Sequence, residues 1–597
     1  GNWKRALQFL QRAAVSVPRG SSSPDIFCAQ LYNNLGGALH ALSRYEESLP
    51  EFDKAIRHAP NMIMAFVNKG EALRVLGRWS EAIMCTAMAT SLDGAHAVAL
   101  SNHLMYKQNV CDWKDWELAF RRLVRLLHHD TITRADPSEE ATPSVSPYQA
   151  ITFPFTAYET LQVLGSYGCD IVEKARKIAS LLTIAPPPPI DEGTRFRVAY
   201  LSSDFGEHTT GVNVVGIFKQ HNRDRVHVFA YATSPPDGSR TRKRTESEAE
   251  TFRDLTELSS LQMAFAINAD GIHVLVDLNG HTLGACSHVV ALQPAPITIF
   301  DQGFAGSSGG VATHFNADKV SLPPEYAYHY TEQLMYMPHF SNPLNDHRET
   351  FGYLAERQSR LDYPPGPIGL PEDKFIFGCF NTAYKYSPGV LDAWAEVLRG
   401  NSNASLWLLR WPEVEENLRS EARARGVSDE AVAFTPVLPK ETHLRYKAAL
   451  TDVFLDTFAF NGHGTVSQML WAGVPSISLP AERIGQRIAS ALLLSSPAAP
   501  FIARDEADYV ALALAASDPR NHPQVQHVRE QIHAERMTTP LFDIKRFVSD
   551  YERLLRIVWE AYVAGLSAAE KEGQRVKTNA EICREGGAAT SRRARRV

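Results

Sequence analysis

Cysteine is sparse and scattered in this chain. The seven thiols (Cys28, Cys85, Cys111, Cys169, Cys286, Cys379, Cys583) form no CxxC pair and no metal-ligand spacing. That argues against a disulfide framework and a structural zinc site, and points to a reducing compartment. No apolar run approaches the ~20 residues that span a bilayer. The opening Gly1-Asn2-Trp3-Lys4 is neither a signal peptide nor an initiator start, so the chain reads as soluble, cytoplasmic and truncated at its front. An excess of one charge is also missing: 61 Lys and Arg face 67 Asp and Glu, a net charge of −6. Nucleic acid and anionic membranes therefore lack a whole-protein attraction, and any anion binding is local. Neither GxGxxG nor GxxxxGK[ST] occurs, which removes the main support for nicotinamide dinucleotides and P-loop triphosphatase chemistry. No DxD pair stands at the end of an expected strand, so the sequence predicts no metal.

What is present is a globular composition, 44% hydrophobic and 21% charged over 597 residues, enough for about three or four domains at ~150 residues each. Self-comparison shows a period of 34: Gly36 matches Gly70, Ala38 Ala72, Leu39 Leu73, Leu42 Leu76, Tyr45 Trp79, Glu47 Glu81 and Ala55 Ala89. That spacing resembles the tetratricopeptide repeat, in which small residues let paired helices approach closely. Residues 1–110 read as about two full repeats with partial ones at each end, and more of the array is expected upstream. Asn34, Asn68 and Asn102 recur with the same period. They are candidate clamps for a peptide backbone, because an amide offers both donor and acceptor; a capping or solvating role fits them as well.

Residues 111–190 read as a helical and linker transition, with a domain boundary at the stiff Ala185–Pro189 run. From Arg195 short apolar runs alternate with helical segments: Phe196 to Leu201, His227 to Tyr231, His273 to Leu278 and Ile297 to Phe300. A second set follows at Phe375 to Phe380, Ser405 to Leu409, Val453 to Leu455 and Ser476 to Leu479, closed by a helix from Ile544 to Ala564. Alternation of this kind predicts parallel sheets with crossover helices. The expected order is thus a helical repeat array, a Rossmann-like lobe at 191–341, a short inter-lobe segment at 342–367 and a second lobe at 368–566. A basic tail at 567–597 is expected to be disordered, and its final arginines leave a nuclear address open.

Two facing lobes place ligands at the carboxyl ends of their strands. Asn461-Gly462-His463-Gly464-Thr465 opens a helix after the run Val453 to Leu455, which suits a diphosphate held by free amides and a positive dipole end. Lys385 follows the run Phe375 to Phe380, where it can neutralise charge growing on a leaving group. Asp204-Phe205-Gly206-Glu207-His208 and Asp277-Leu278-Asn279-Gly280-His281 bring a His and an Asp each to strand ends of the first lobe. Histidine is the usual base near neutral pH.

Read in order, SDFGEH, DLNGHT, LQPAPI, CFNTAYKYSP, LWLLRWP, LPKETH and NGHGT…LWAGVP resemble the soluble O-linked N-acetylglucosamine transferases, from the repeats to Tyr562. The resemblance implies two Rossmann-like lobes of the glycosyltransferase B type. It also implies inverting transfer of N-acetylglucosamine from UDP-GlcNAc to Ser or Thr of intracellular proteins, with no metal or other cofactor. Carried over by motif, Lys385 stabilises the leaving UDP, Lys440 and His443 hold ribose and uracil, and His463 and Thr465 cradle the diphosphate. Thr382, Tyr384, Leu438, Gly464 and Gln468 belong to the same substrate contacts. His208, Asp277, Asn279 and His281 line the opposite wall, His208 being the candidate proton acceptor. The repeats are expected to recruit acceptor proteins and to offer a surface for homo-oligomerisation. Phe304, Gly464 and Gln468 depart from the family's usual residues. Two alternatives stand beside this reading: a protein O-fucosyltransferase using GDP-fucose, and a repeat scaffold whose lobes turn over weakly.

Overall fold

The computed structural model describes residues 2–15, 26–133, 144–191, 193–301, 303–341 and 347–572. They gather into two compact units, Gly1–Val145 with Pro412–Leu418, and Ser146–Trp411 with Arg419–Val597.

The first unit is built on helical hairpins, among them Ile26–Ala41 with Tyr45–His58 and Ile63–Val75 with Trp79–Leu92. The matched residues explain the packing. A Cβ on Gly36 would lie 2.5 Å from the Phe52 ring, and one on Gly70 3.3 Å from Thr86 Cγ2. Ala38, Ala55, Ala72 and Ala89 are all fully buried. Each hairpin turns through a left-handed residue, Ser43 (φ 59°) and then Gly77 (φ 74°), followed by an Arg44–Glu47 or Arg78–Glu81 pair that brackets the next helix. The asparagines behave less uniformly than their period suggests. Asn68 Nδ2 donates to Asn33 Oδ1 at 3.0 Å, whereas Asn34 is exposed and Asn102 half-buried.

The second unit holds two parallel sheets. The first comprises β1 (Phe196–Ser202), β2 (Val226–Ala232), β3 (Thr251–Asp254), β4 (Val274–Asp277), β5 (Ile297–Phe300), β6 (His314–Asp318) and β7 (Gln333–Met337), in the order β3-β2-β1-β4-β5-β6-β7. The second comprises β8 (Phe375–Cys379), β9 (Ala404–Leu409), β10 (Val432–Thr435), β11 (Val453–Leu455) and β12 (Ser476–Ile477), in the order β10-β9-β8-β11-β12. Every pairing is parallel, as in β1 with β2 and β8 with β11. All eight apolar runs form strands because burial on both faces demands continuous hydrophobicity. Strands β3, β6, β7 and β10 escape that pattern, since polar or charged residues break their apolar character, as in Thr251–Asp254. Strand order reverses between β1 and β4 and between β8 and β11, and crevices for ligands open at such switch points.

Three expectations need correction. The units divide after Val145 rather than at Ala185–Pro189. The intervening helices are bedded on the first lobe: a Cβ on Gly168 would stand 2.3 Å from Gly309 O, and Pro188 O accepts from His273 Nε2 at 2.9 Å. The long helix begins as expected but runs Ile544–Glu572, into the stretch assigned to the tail; residues 573–597 lie outside the described part, as do 342–346. That helix does not close the second lobe. Ile544, Val548, Tyr551 and Leu555 are buried with Phe196, Val198 and Val274 in the core of the first sheet. The chain crosses back because this apolar stripe finds its complementary surface there.

Candidate active site

Strand β8 delivers Asn381 and the short turn Ala383–Lys385, and β11 delivers Asp456 and the loop that opens helix Gly464–Trp471. Lys385 is 8% exposed. Its Nζ donates to Asn461 O at 2.7 Å and lies 4.7 Å from the centre of the Phe460 ring. Burial holds its pKa down to about 8, opposed by the nearby Asp456 carboxylate. Asp456, fully buried, accepts from Gly462 N (2.7 Å), Ser478 Oγ (2.9 Å) and Asn381 Nδ2 (3.0 Å), and burial still pushes its pKa up to about 6. This carboxylate fixes the loop from Thr457 to Gly462 and thereby the start of the helix.

His463 precedes that helix. Its Nε2–H donates to Gly485 O at 3.2 Å, and burial, with the Lys385 charge beside it, lowers its pKa to about 3, so the ring is neutral. The amides of Gly464, Thr465 and Val466 head the helix without carbonyl partners inside it. At the other end Arg536 donates to Trp471 O at 2.8 Å, a cation where the dipole favours one. Thr465 and Gln468 are half-buried on the same helix, Thr382 is exposed and Leu438 half-buried. Tyr384 packs edge-on against Tyr148, centroids 5.4 Å apart. His443 is buried with Nε2 unpartnered, and burial, with the Lys447 charge, lowers its pKa to about 3.

On the first lobe the two expected motifs interlock. Asn279 Oδ1 accepts from Ser203 N at 2.7 Å and its Nδ2 donates to Asp204 Oδ2 at 2.8 Å; Asp204 Oδ2 in turn lies 3.2 Å from His208 Nδ1. Asn279 thus sets Asp204, which stands beside the half-exposed His208 ring; the same Nδ1 accepts from Thr210 N at 3.3 Å, and a proton gained by the imidazole would lie against the Asp204 carboxylate. Asp277 sits deeper. It is 1% exposed, accepts from Asn279 N at 3.0 Å and leaves Oδ2 unpartnered, and burial, with the Asp204 charge adding, raises its pKa to about 7.

The lobes meet through these loops. Lys440 Nζ reaches Glu207 Oε1 at 2.6 Å, and a Cβ on Gly464 would stand 3.7 Å from Thr209 Cγ2. The helix start, and through it Lys385, therefore faces the loop that carries His208. His281 is withdrawn from this rim. Its ring is enclosed by Tyr167, Phe300 and Phe304, each with its centroid 5.3 Å away, and its Nε2–H donates to Ser308 O at 3.0 Å. Burial lowers its pKa to about 4 from 6.5. Its stabilising contribution is therefore complete above pH 6.5 and is lost as pH falls toward 4. His281→Phe should flatten the acid limb of a stability–pH curve by up to about 1.4 kcal/mol per pH unit, despite a lower overall stability from the orphaned Ser308 carbonyl. Denaturant melts at pH 7 and pH 5 read this directly, and an unchanged slope would count against it.

Asp456, Asn381, Phe460 and Glu207 join the site without having been singled out from the sequence. Glu207 and Asn381 stood inside the motifs SDFGEH and CFNTAYKYSP without a role of their own, and Asp456 left the signal of a carboxylate directly after a wholly apolar run. Among the described residues no group of three or more His, Cys, Asp or Glu is gathered as a metal site.

A probable UDP-N-acetylglucosamine–peptide N-acetylglucosaminyltransferase of Arabidopsis thaliana is 36% identical over 471 residues, 77% of this chain and 46% of the relative. The UDP-N-acetylglucosamine–peptide N-acetylglucosaminyltransferase of Caenorhabditis elegans is 27% identical across 77% of this chain and 49% of its own length. The chain thus spans about half the length of the curated relatives it matches. A mutant of the Thermobaculum terrenum O-GlcNAc transferase shares the fold, with a TM-score of 0.69 at 20% identity, covering 90% of this chain and 98% of that one. The family model for glycosyl transferase family 41 matches residues 110–363 and 366–551, both lobes and the segment that leads into them, and the chain belongs to that family.

Proposed function

We propose that the protein transfers N-acetylglucosamine from UDP-GlcNAc to Ser or Thr hydroxyls of protein acceptors, with inversion and with Lys385 in the place of a metal ion. The observation that carries this reading is the pairing, across one cleft, of a buried ammonium and an open helix start with a carboxylate-supported imidazole. An inverting displacement needs charge stabilisation at the leaving phosphate and a hydroxyl on the far side of the anomeric carbon. Lys385 and the amides at Gly464–Val466 supply the first. His208 takes the proton as the hydroxyl oxygen bonds to the anomeric carbon and the bond to the diphosphate oxygen breaks; UDP departs with the electron pair. Asp204 supports the imidazolium that results. Lys440 and His443 suit the ribose and uracil, and the names of the relatives support UDP-GlcNAc as donor.

The helical repeats suit recruitment of extended acceptor segments, with exposed Asn34 better placed than Asn68, whose amide is already engaged by Asn33. No described helix is long and apolar enough to cross a membrane. The test is intact-mass analysis of a Ser/Thr-rich peptide incubated with the protein and either UDP-GlcNAc or GDP-fucose, with chelator present. A HexNAc increment with UDP-GlcNAc alone is expected. A deoxyhexose increment moves the protein to fucosyl transfer, and UDP binding without any increment marks a scaffold.

A further inference from the structure

A buried ammonium normally finds a carboxylate. Lys385 does not. The carboxylate at the end of β11, Asp456, is committed to Gly462, Ser478 and Asn381. Lys385 Nζ makes one hydrogen bond, to Asn461 O, and rests on the face of the Phe460 ring at 4.7 Å. Two of its three N–H donors therefore remain for a ligand.

We infer that Phe460 is a positioning residue for Lys385, a ring that stabilises the ammonium in a dry site without cancelling its charge. The inference rests on the reading of Lys385 as the cation at the leaving diphosphate. A carboxylate partner would hold the lysine equally well but would repel the phosphates it serves. The negative face of an aromatic ring attracts the ammonium and leaves the net charge at +1.

The ring is itself held in place. It is 9% exposed, it lies 4.7 Å from the His463 ring, and its backbone carbonyl accepts from Thr457 Oγ1 at 2.7 Å. A Cβ on Gly485 would come within 2.8 Å of Phe460 Cε2, so only glycine leaves room for the ring at that position. The other titratable groups around Lys385 are Asp456, which raises its pKa, and His463 and Cys379, both kept neutral by burial.

Phe460→Leu keeps apolar bulk and removes the ring quadrupole, while Phe460→Tyr restores an aromatic face. In protein labelled with ¹³C at lysine Cε, the Lys385 signal is assigned by its disappearance in Lys385→Met and followed against pH. The Leu variant should titrate about one pH unit lower than the parent, and the Tyr variant close to it. At pH 8 the Leu variant should lose kcat/KM for the donor by about five- to tenfold through deprotonation of the free enzyme, and at pH 6.5 by much less. A Leu variant that melts like the parent and titrates Lys385 at the parent's pH overturns the inference. A shifted titration with unchanged kcat/KM, or normal turnover by Lys385→Met, would instead remove Lys385 from the reaction and leave Phe460 as its structural support.

Discussion

Lys385→Met should lose most transfer, on the order of 10²–10³-fold in kcat, as deletion of one preorganised charge-stabilising donor does elsewhere. The loss should fall on kcat more than on the donor KM, because charge accumulates on the diphosphate oxygen only as its bond to the sugar breaks. Methionine matches the lysine stem in length and fills the same dry space, so the fold survives. The substitution orphans the Asn461 carbonyl at a cost of about 1 kcal/mol and relieves the burial of a charge. Thermal melting should therefore stay near that of the parent. The pKa of about 8 adds a second signature. The ammonium is the working form, so kcat/KM of the parent should decline as pH rises through about 8, and that of the Met variant should lack that limb. Initial rates from pH 6.5 to 9 over a range of UDP-GlcNAc concentrations decide the matter, and parental turnover in the Met variant would exclude Lys385 from catalysis.

Arg483→Met should unfasten the segment Pro147–Thr152 and lower stability by about 3–5 kcal/mol, the scale of leaving several buried acceptors unpaired. The Arg483 guanidinium donates to Phe153 O at 2.9 Å, to Ala150 O and Ile151 O at 3.3 Å, and to Ala459 O at 3.2 Å. Three of these carbonyls belong to the last turn of a short helix and the residues after it, where the dipole end is negative and intrahelical donors have run out. Burial lowers the pKa of the guanidinium only to about 10, so it stays charged at neutral pH; the two Nη1 hydrogens are shared among the three carbonyls of the segment, and Nη2 serves Ala459 O. Lysine carries the charge but not the fork, and Arg483→Lys should recover only part of the loss. Limited proteolysis provides the local readout: cleavage between residues 144 and 156 should appear in the Met variant well before general unfolding. A variant as resistant as the parent, with an unshifted melt, would show that the carbonyls find other donors.

Each of the features legible in the sequence has a local cause. The 34-residue period survives in the structure because each hairpin solves the same close-packing problem: Gly36 clears room for Phe52, and Gly70 clears it for Thr86. The two sheets were legible because a strand buried on both faces leaves an unbroken apolar run, and the loops after those runs carry the polar residues that face the cleft. Lys385, His208 and His463 were accessible to sequence reasoning for that reason, as residues just beyond a strand or at the start of a helix.

Tertiary structure decided everything that depends on which surface meets which. The helix Ile544–Glu572 has the same amphipathic pattern whichever lobe it covers; only the complementary face offered by Phe196, Val198 and Val274 assigns it to the first. His281 carries the same motif position as a rim residue, yet Phe300 and Phe304 from the next strand and its loop, with Tyr167 from far upstream, enclose it. Three of the polar partners of Arg483 are backbone carbonyls some 330 residues away, and carbonyls carry no mark in a sequence. Local chemistry thus determined the elements and the loops that bear function. Long-range packing, which has no period to read, determined which of those residues stay at the cleft and which are withdrawn to hold it together.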